Sequence, residues 1–91
     1  MLRLDFSRSA AKFLQKMPAK HGKQVAERIT ALRQTPNALP TEDLKGYAPF
    51  RRLKSGEYRI VYVIEGETLF VTLIGKRNDD DIYKQLAKLK R

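Results

Sequence analysis

Apolar residues recur with two different spacings along the chain, and the first change of spacing marks the first predicted elements. Leu2–Phe6 alternates apolar and polar side chains, which predicts a half-buried β-strand. From Ser7 onward the spacing becomes that of one helical face, with Ser7 or Ser9 as the predicted N-cap and Pro18 as the stop. The apolar stripe of this helix consists of Ala10, Phe13, Leu14 and Met17.

A second helix is predicted after Gly22, and Pro36 closes it. Its apolar face consists of Val25, Ile29 and Leu32, with Ala26 beside them. Only a few residues join the two predicted helices, so we expect an antiparallel helical hairpin.

The segment Thr35–Pro49 contains three prolines and one glycine, which predicts a loop that crosses the surface. The period of two then returns in three runs rich in β-branched and aromatic residues, Phe50–Lys54, Glu57–Glu65 and Thr68–Gly75. The pairs Ser55-Gly56 and Gly66-Glu67 separate these runs and suit tight hairpin turns. The three runs therefore predict an antiparallel meander.

The last segment, residues 78–91, predicts a short helix. Asn78 or Asp79 lies at its start, where an oxygen atom can accept from exposed backbone N–H groups, and its lysine-rich end suits the opposite pole. Its apolar stripe consists of Ile82, Leu86 and Leu89. The predicted order is β-α-α-β-β-β-α in a single domain, residues 1–91. We expect an α+β fold in which the helical hairpin covers one face of an antiparallel sheet.

Composition narrows the class of partner. The chain has 19 lysines and arginines against 10 acidic residues, and its net charge of +9 favours an anionic partner, most simply a phosphate backbone. An acidic protein fits the same charge. The sequence has no cysteine, which excludes a disulfide framework or a thiolate metal site and is typical of a cytoplasmic protein. No apolar run approaches the roughly 20 residues of a membrane span, and Met1–Phe6 is too short for a signal peptide, so we expect no membrane partner.

Strand alternation predicts which cations share a face of the sheet. Arg52 and Lys54 point to one side of their strand, and Arg59 is expected on that side of the next strand, near the strand end where Arg77 emerges. Tyr83, in the final helix, is expected at the rim of this basic patch. Cations that alternate with apolar residues are more often a solvated surface than a site, so alternation alone favours the simpler interpretation.

Several other polar or aromatic residues fit structural roles. Tyr58 and Tyr62 are expected to pack within the sheet, since large aromatic side chains suit pleated surfaces. Asp79–Asp81 suits helix capping, because consecutive helical residues point about 100° apart and do not converge easily on one metal ion. His21 lies in the predicted helical connection without a serine or cysteine constellation, so no catalytic triad is expected. We therefore predict no metal and no other cofactor.

Three stretches of the sequence carry a family resemblance. The succession of "LKGY", "RRLKSGEYRIVYVI" and "LIGKRNDDDIY" resembles the RelE/ParE superfamily of toxins from type II toxin–antitoxin pairs, and the similarity extends over the first strand and both helices. It implies the RelE-like microbial RNase fold. Gly75, Lys76 and Arg77, followed by Tyr83, are similar to the junction of RelE-like messenger RNA interferases, whereas ParE-like members, which act on DNA gyrase, generally lack the full set.

The resemblance also implies roles for individual residues. The implied catalytic residues are Arg59, Arg77, Tyr83 and Lys54, and the implied RNA-binding residues are Arg52, Arg51, Lys76 and Lys45. Arg59 and Arg77 would stabilise charge that develops on the phosphorane, because guanidinium groups present paired donors to phosphate oxygens. Either Lys54 or Tyr83 would act as the base. A one-residue ambiguity in the preceding loop leaves Phe50 as an alternative match for a family lysine.

By the same resemblance, the chain is expected to be a ribosome-dependent endoribonuclease that cleaves messenger RNA in the A site by metal-independent attack of a ribose 2′-OH. The implied partners are an acidic, RelB-like antitoxin in a hetero-oligomer, messenger RNA on the ribosome, and 16S ribosomal RNA contacted through the basic surface. Two alternatives stay open. One is a ParE-like toxin that inhibits DNA gyrase by protein binding, and the other is a catalytically inactive RNA-binding member.

Overall fold

The structure, a computed structural model, describes residues 1–77 and 84–85 of the chain. Its helices and strands are β1 (Arg3–Phe6), α1 (Arg8–Lys16), α2 (Ala19–Gln34), β2 (Thr41–Asp43), β3 (Arg51–Ser55), β4 (Tyr58–Glu65) and β5 (Thr68–Lys76). The α+β class is confirmed. The predicted C-terminal helix and its stripe lie outside the described residues, apart from Lys84 and Gln85, which are helical.

The five strands form one mixed sheet in the order β1-β5-β4-β3-β2. The meander from β3 to β5 is antiparallel as predicted, but β1 pairs with β5 in parallel, so the expectation of a wholly antiparallel sheet is wrong at this edge. Alternation identifies the two faces of a strand and carries no information about its direction relative to a neighbour. The path through the helical hairpin and the meander returns the chain beside β1 in the same direction.

Helix α2 begins earlier than predicted. It starts at Ala19, directly after Pro18, and Gly22 lies inside it, where its amide donates to the Pro18 carbonyl at 2.9 Å. Proline is tolerated at a helix start because the first N–H groups have no partner within the helix, so one residue ends α1 and opens α2. A single glycine costs a helix about 1 kcal/mol relative to alanine, which a helix of 16 residues tolerates.

The segment predicted as a loop contains β2. This strand pairs with β3 in antiparallel register, with Thr41 opposite Leu53, Glu42 opposite Arg52 and Asp43 opposite Arg51. Three polar residues carry no apolar alternation, so the prediction missed the strand. Its stability comes from backbone pairing and cross-strand charge pairs.

The helical hairpin packs on one face of the sheet and forms the main core. The buried residues of this core are Ala10, Val25, Ile29, Leu32, Leu53, Tyr58, Ile60, Tyr62, Leu69, Val71 and Ile74. The predicted packing role of the two sheet tyrosines is confirmed, since Tyr58 and Tyr62 are only 6% and 1% exposed. Burying each large apolar side chain contributes about 1.5–3 kcal/mol, so this face supplies most of the stability.

The opposite face is partly covered by the loop between β2 and β3. Leu44, Val61 and Leu73 form a second buried cluster, and Tyr47 and Phe50 pack against it. Phe50, the alternative match for a family lysine, lies on this face, where it packs against apolar neighbours. The cluster closes one part of this face, and exposed polar residues lie beyond it, near the β3–β4 turn.

A β-bulge interrupts the pairing of β4 with β5. Tyr62 pairs with Val71 and the preceding Val61 pairs with Leu73, so Thr72 is an extra residue in β5. Before the bulge, Val71 belongs to the helix-side core, and after it Leu73 belongs to the opposite cluster. The bulge therefore reverses the alternation of β5, so that odd-numbered residues point to the helices before it and away from them after it.

Ser7 joins the bulge to the first helix. Its hydroxyl donates to the Thr72 carbonyl at 2.6 Å and accepts from the Ala10 amide at 3.1 Å, so Ser7 is the N-cap of α1. Its own amide donates to the Val71 carbonyl at 2.9 Å. One residue thus fixes both the start of the helix and the extra residue of β5.

Across residues 1–77 and 84–85, neither helix has the length and apolar character that a membrane crossing requires.

Candidate nucleic-acid interface

The β3–β4 hairpin brings three of the predicted cations to one face. Lys54 lies directly opposite Arg59, and Arg52 lies opposite Val61, whose side chain belongs to the cluster on the face away from the helices. Residues that are directly opposite in an antiparallel pair have Cβ atoms about 4.5–5.5 Å apart. Gly56, with φ of +58°, allows the tight turn that joins the two strands. The shared face follows strand alternation as predicted.

The Arg59 guanidinium is held along this turn. Its Nη1 atom donates to the carbonyls of Gly56 and Tyr58, both at 2.9 Å, and the side chain is half-buried. A guanidinium carries five N–H donors, and within the described part of the chain Arg59 makes no other side-chain hydrogen bond. The two carbonyls thus fix the direction of the guanidinium, and its remaining N–H donors can bind an anion.

Arg77 lies at the same end of the sheet. Its amide donates to the Glu57 carbonyl at 2.7 Å, which extends the β4–β5 pairing to the hairpin turn. Gly75 pairs with Arg59, and strand alternation from Gly75 directs Arg77 to the Arg59 face. This direction depends on the bulge, because regular alternation from Val71 to residue 77, with Thr72 paired in the ladder, would point Arg77 toward the helices. Arg77 is exposed, and Gly75 brings no side chain between the two arginines.

Glu42 is a site residue that the sequence did not indicate. Its carboxylate accepts from Arg52 Nη2 at 2.6 Å and from Lys54 Nζ at 3.2 Å. The hydrogen bond from Arg52, followed by that from Lys54 and by their charges, lowers the pKa of Glu42 below its usual range. The signal for this contact is the run "TED". Its two adjacent carboxylates lie opposite the two arginines of "RRLK" once the segments pair as antiparallel strands.

Arg51 and Lys76 lie on the helix side, away from the other predicted RNA-binding cations. Arg51 is paired with Asp43, donates to the Thr41 hydroxyl at 2.8 Å, and bonds with the Tyr62 hydroxyl, which chiefly raises the pKa of Arg51. These contacts tie Arg51 to the core. The assignment of Arg51 and Lys76 to RNA binding stays a prediction. The contacts of Arg51 with the core explain its position by a structural role.

Lys76 pairs with Tyr58 and lines a groove of the helix side that includes Phe13. His21 is on that side too, with its ring centroid 5.5 Å from that of Tyr58. Lys45 is exposed beside Gly46 in the loop that covers the second cluster.

Tyr83 and Asp79–Asp81 lie outside the described residues, so the predicted placement of the tyrosine at the rim and the capping role of the aspartates stay predictions. The described residues, 1–77 with 84–85, contain no group of three His, Asp or Glu side chains arranged to hold a metal ion. The chemistry that this face can offer is that of cations: binding phosphate oxygens and stabilising added negative charge.

Comparison with protein families matches residues 4–81 to the family described as the ParE toxin of the type II toxin-antitoxin system, parDE. Comparison with curated proteins found no match.

Solved structures with the same fold cover nearly the whole chain. The isolated RelE toxin of E. coli is 25% identical, covers 98% of this chain and 98% of its own, and has a TM-score of 0.74. The intact RelBE toxin-antitoxin complex of E. coli is 26% identical over 87% of this chain and 100% of that chain, with a TM-score of 0.70. The toxin-antitoxin complex RelBE2 of Mycobacterium tuberculosis shares the fold, with a TM-score of 0.72. It is 22% identical over 84% of this chain and 98% of that chain.

Proposed function

Because the chain belongs to the ParE toxin family of type II toxin–antitoxin systems, within the RelE/ParE superfamily, we propose that it is a toxin that cleaves messenger RNA in the ribosomal A site. The observation that supports this choice is the clustering of Lys54, Arg59 and Arg77 at one end of the exposed sheet face. These cations come from three strand ends, and they leave an open surface that an extended RNA strand can reach.

The reaction is transfer of a phosphoryl group within the RNA. The 2′-oxygen forms a bond to the adjacent phosphorus, the bond from phosphorus to the 5′-oxygen breaks, and the products are a 2′,3′-cyclic phosphate and a 5′-hydroxyl. Arg59 and Arg77 donate to the phosphorane oxygens, whose charge increases in the transition state. Lys54 or Tyr83 takes the proton from the 2′-OH, and a proton reaches the 5′-oxygen from the other group or from water.

The described site has no histidine or buried carboxylate to promote proton transfer on this face, so positioning has to supply much of the rate. An external scaffold that fixes the 2′-oxygen in line with the phosphorus can lower the barrier by several kcal/mol. This requirement supports the ribosome as the place of action and predicts slow cleavage of free RNA.

The antitoxin of this toxin is proposed to be an acidic, RelB-like chain. Two of the similar structures named above, E. coli RelBE and M. tuberculosis RelBE2, are toxin–antitoxin complexes. The net charge of +9 favours an anionic partner, and a segment that folds on binding would stabilise this small domain by mass action. The expected assembly is a toxin–antitoxin hetero-oligomer.

A second function is inhibition of DNA gyrase by protein binding, which the ParE description of the matching family favours. Two assays with the same purified protein decide between them. Primer extension on messenger RNA bound to programmed ribosomes should show A-site cleavage, and supercoiling by gyrase should be unaffected. Gyrase inhibition without cleavage would reject the nuclease proposal.

A further inference from the structure

Glu42 lies between two cations of the exposed face and is itself exposed. Its two carboxylate oxygens each accept from a different cation, Arg52 at 2.6 Å and Lys54 at 3.2 Å, and its own side chain is 52% exposed. The strand that carries it, β2, lies at the edge of the sheet. Both cations therefore already hold an anion in the free protein, and that anion belongs to the chain itself.

A groove of about 430 Å³ opens beside this contact. Arg52, Lys54 and Glu42 line it from the sheet, and Arg28 lines it from α2. Arg28 is exposed, and its guanidinium makes no hydrogen bond or ion pair within the described part of the chain. A third cation thus faces the same space from a different element, at a residue that no sequence motif indicated.

Carboxylate and phosphate oxygens accept from guanidinium and ammonium groups with similar geometry. A carboxylate that bridges two cations therefore marks a position that a phosphate oxygen also fits. Ion pairs at exposed positions contribute little to stability, and double-mutant cycles typically give small values for them. Another anion can displace Glu42 at little cost, especially one that also reaches Arg28.

We propose that this groove is a binding subsite for a phosphodiester of single-stranded RNA, and that the Glu42 carboxylate occupies it until RNA displaces it. The inference rests on the proposed function, because Lys54 belongs both to the groove and to the patch around Arg59. RNA fits better than an acidic peptide, since successive phosphates can contact Arg59, Lys54 and Arg28 in turn along one backbone.

Glu42 is a positioning residue in this scheme. In the free protein it holds Lys54 and Arg52 on the exposed face and reduces the attraction of the patch for unrelated polyanions. In the RNA complex the phosphodiester takes over both cations, and the Glu42 side chain moves to solvent.

The test compares Glu42→Gln with Asp43→Asn in the full chain. The two substitutions change the net charge equally and lie next to each other on β2, but Asp43 pairs with Arg51 on the helix side. The probe is a short single-stranded RNA with 2′-O-methyl riboses, which cannot be cleaved by 2′-OH attack. We expect Glu42→Gln to bind it about three- to tenfold tighter than the wild type, and Asp43→Asn to bind within about twofold of the wild type. Equal effects of the two substitutions would reflect net charge alone and would overturn the proposal.

A second pair of variants tests the groove from the helix. Arg28→Gln should weaken RNA binding and reduce the slope of log K against log salt by about 0.7, the value for one lost phosphate contact. Lys23→Gln, an equal loss of charge on the same helix outside the groove, should leave the slope unchanged. Equal slopes for the two variants would contradict the subsite.

Two controls separate this inference from others. If Glu42→Gln strengthens binding of an oligoglutamate peptide more than binding of RNA, the groove is a protein-docking site and the proposal is wrong. The oligonucleotide assay measures binding and needs no cleavage. If the wild-type protein does not cleave messenger RNA on programmed ribosomes, the nuclease proposal is rejected and the binding result still stands. Far-ultraviolet circular dichroism confirms that each variant is folded.

Discussion

Arg51 and Arg52 are neighbours in the sequence, but the two faces of β3 give them different surroundings. Arg51 points to the helix side, where Asp43, Thr41 and the hydroxyl of buried Tyr62 hold it. Arg52 points to the exposed face, where it pairs with the exposed carboxylate of Glu42. The difference teaches that adjacent cations of one strand can have different structural roles. Arg51 is tied to the core, whereas Arg52 lies among charged residues on the exposed face.

The largest expected effect concerns proton transfer on the exposed face. Lys54→Met should lower cleavage on programmed ribosomes by about 10² to 10⁴-fold, the usual contribution of a general acid or base. Tyr83→Phe, which keeps the ring and loses the hydroxyl, should be compared in single-turnover assays. A large loss in only one of the two variants identifies the base, and losses below tenfold in both would show that neither residue transfers the proton.

The next effect concerns charge stabilisation by Arg77. Arg77→Ala should reduce cleavage by about 10² to 10³-fold, because one donor to the phosphorane is lost. The exposed side chain contributes little to stability, so the melting temperature should change little. Lys76→Ala is the matched control, since it removes the neighbouring charge on the helix side. Equal losses in the two variants would contradict the division between the faces.

A third effect should appear in stability and not in activity. Arg51→Ala should lower the free energy of unfolding by about 1–3 kcal/mol, because the buried hydroxyl of Tyr62 loses a partner. Arg52→Ala should be less destabilising and should weaken RNA binding more. Urea denaturation of both variants gives the comparison, and a larger stability loss for Arg52→Ala would reverse the roles assigned to the two faces.

The smallest effect is a pH dependence due to Glu42. Its folded-state pKa is lowered by Arg52 and Lys54, so the ionised form is stabilised by folding. The contribution is present above the unfolded pKa of about 4.3 and is lost as the pH falls through the lowered folded value. The difference in unfolding free energy between the wild type and Glu42→Gln should therefore disappear in acid. A difference that persists well below the lowered pKa would contradict the ion-pair contacts.

Local patterns predicted the elements that carry strong periodicity. The stripe of α1, the three strands of the meander and the common face of Arg52, Lys54 and Arg59 all follow from spacing, because burial repeats with the geometry of the element. The predicted start of α2 after Gly22 is wrong, because this glycine lies within the helix.

The missed features depend on contacts between distant segments. The parallel pairing of β1, the strand β2 and the anchoring of Arg51 by Tyr62 all require knowledge of which segments meet, and none leaves an apolar period in the sequence. The extra residue of β5 is of the same kind. Its run of apolar residues looks continuous, so the position of the phase change at Thr72 is visible only from the pairing with β4.

That phase change has a genetic consequence. A gene that encodes a toxin is under strong selection for inactivating mutations whenever the antitoxin fails, and most such mutations are expected to disrupt the frame or the core. In-frame loss of the codon for Thr72 is not among them, because Leu73 would then follow Val71 directly and would still pair with Val61. Arg77 would therefore stay on the same face of the sheet. The bulge makes Thr72 a residue whose loss leaves the register of β5 with β4 intact, whereas loss of one codon between Thr72 and Arg77 would turn Arg77 toward the helices.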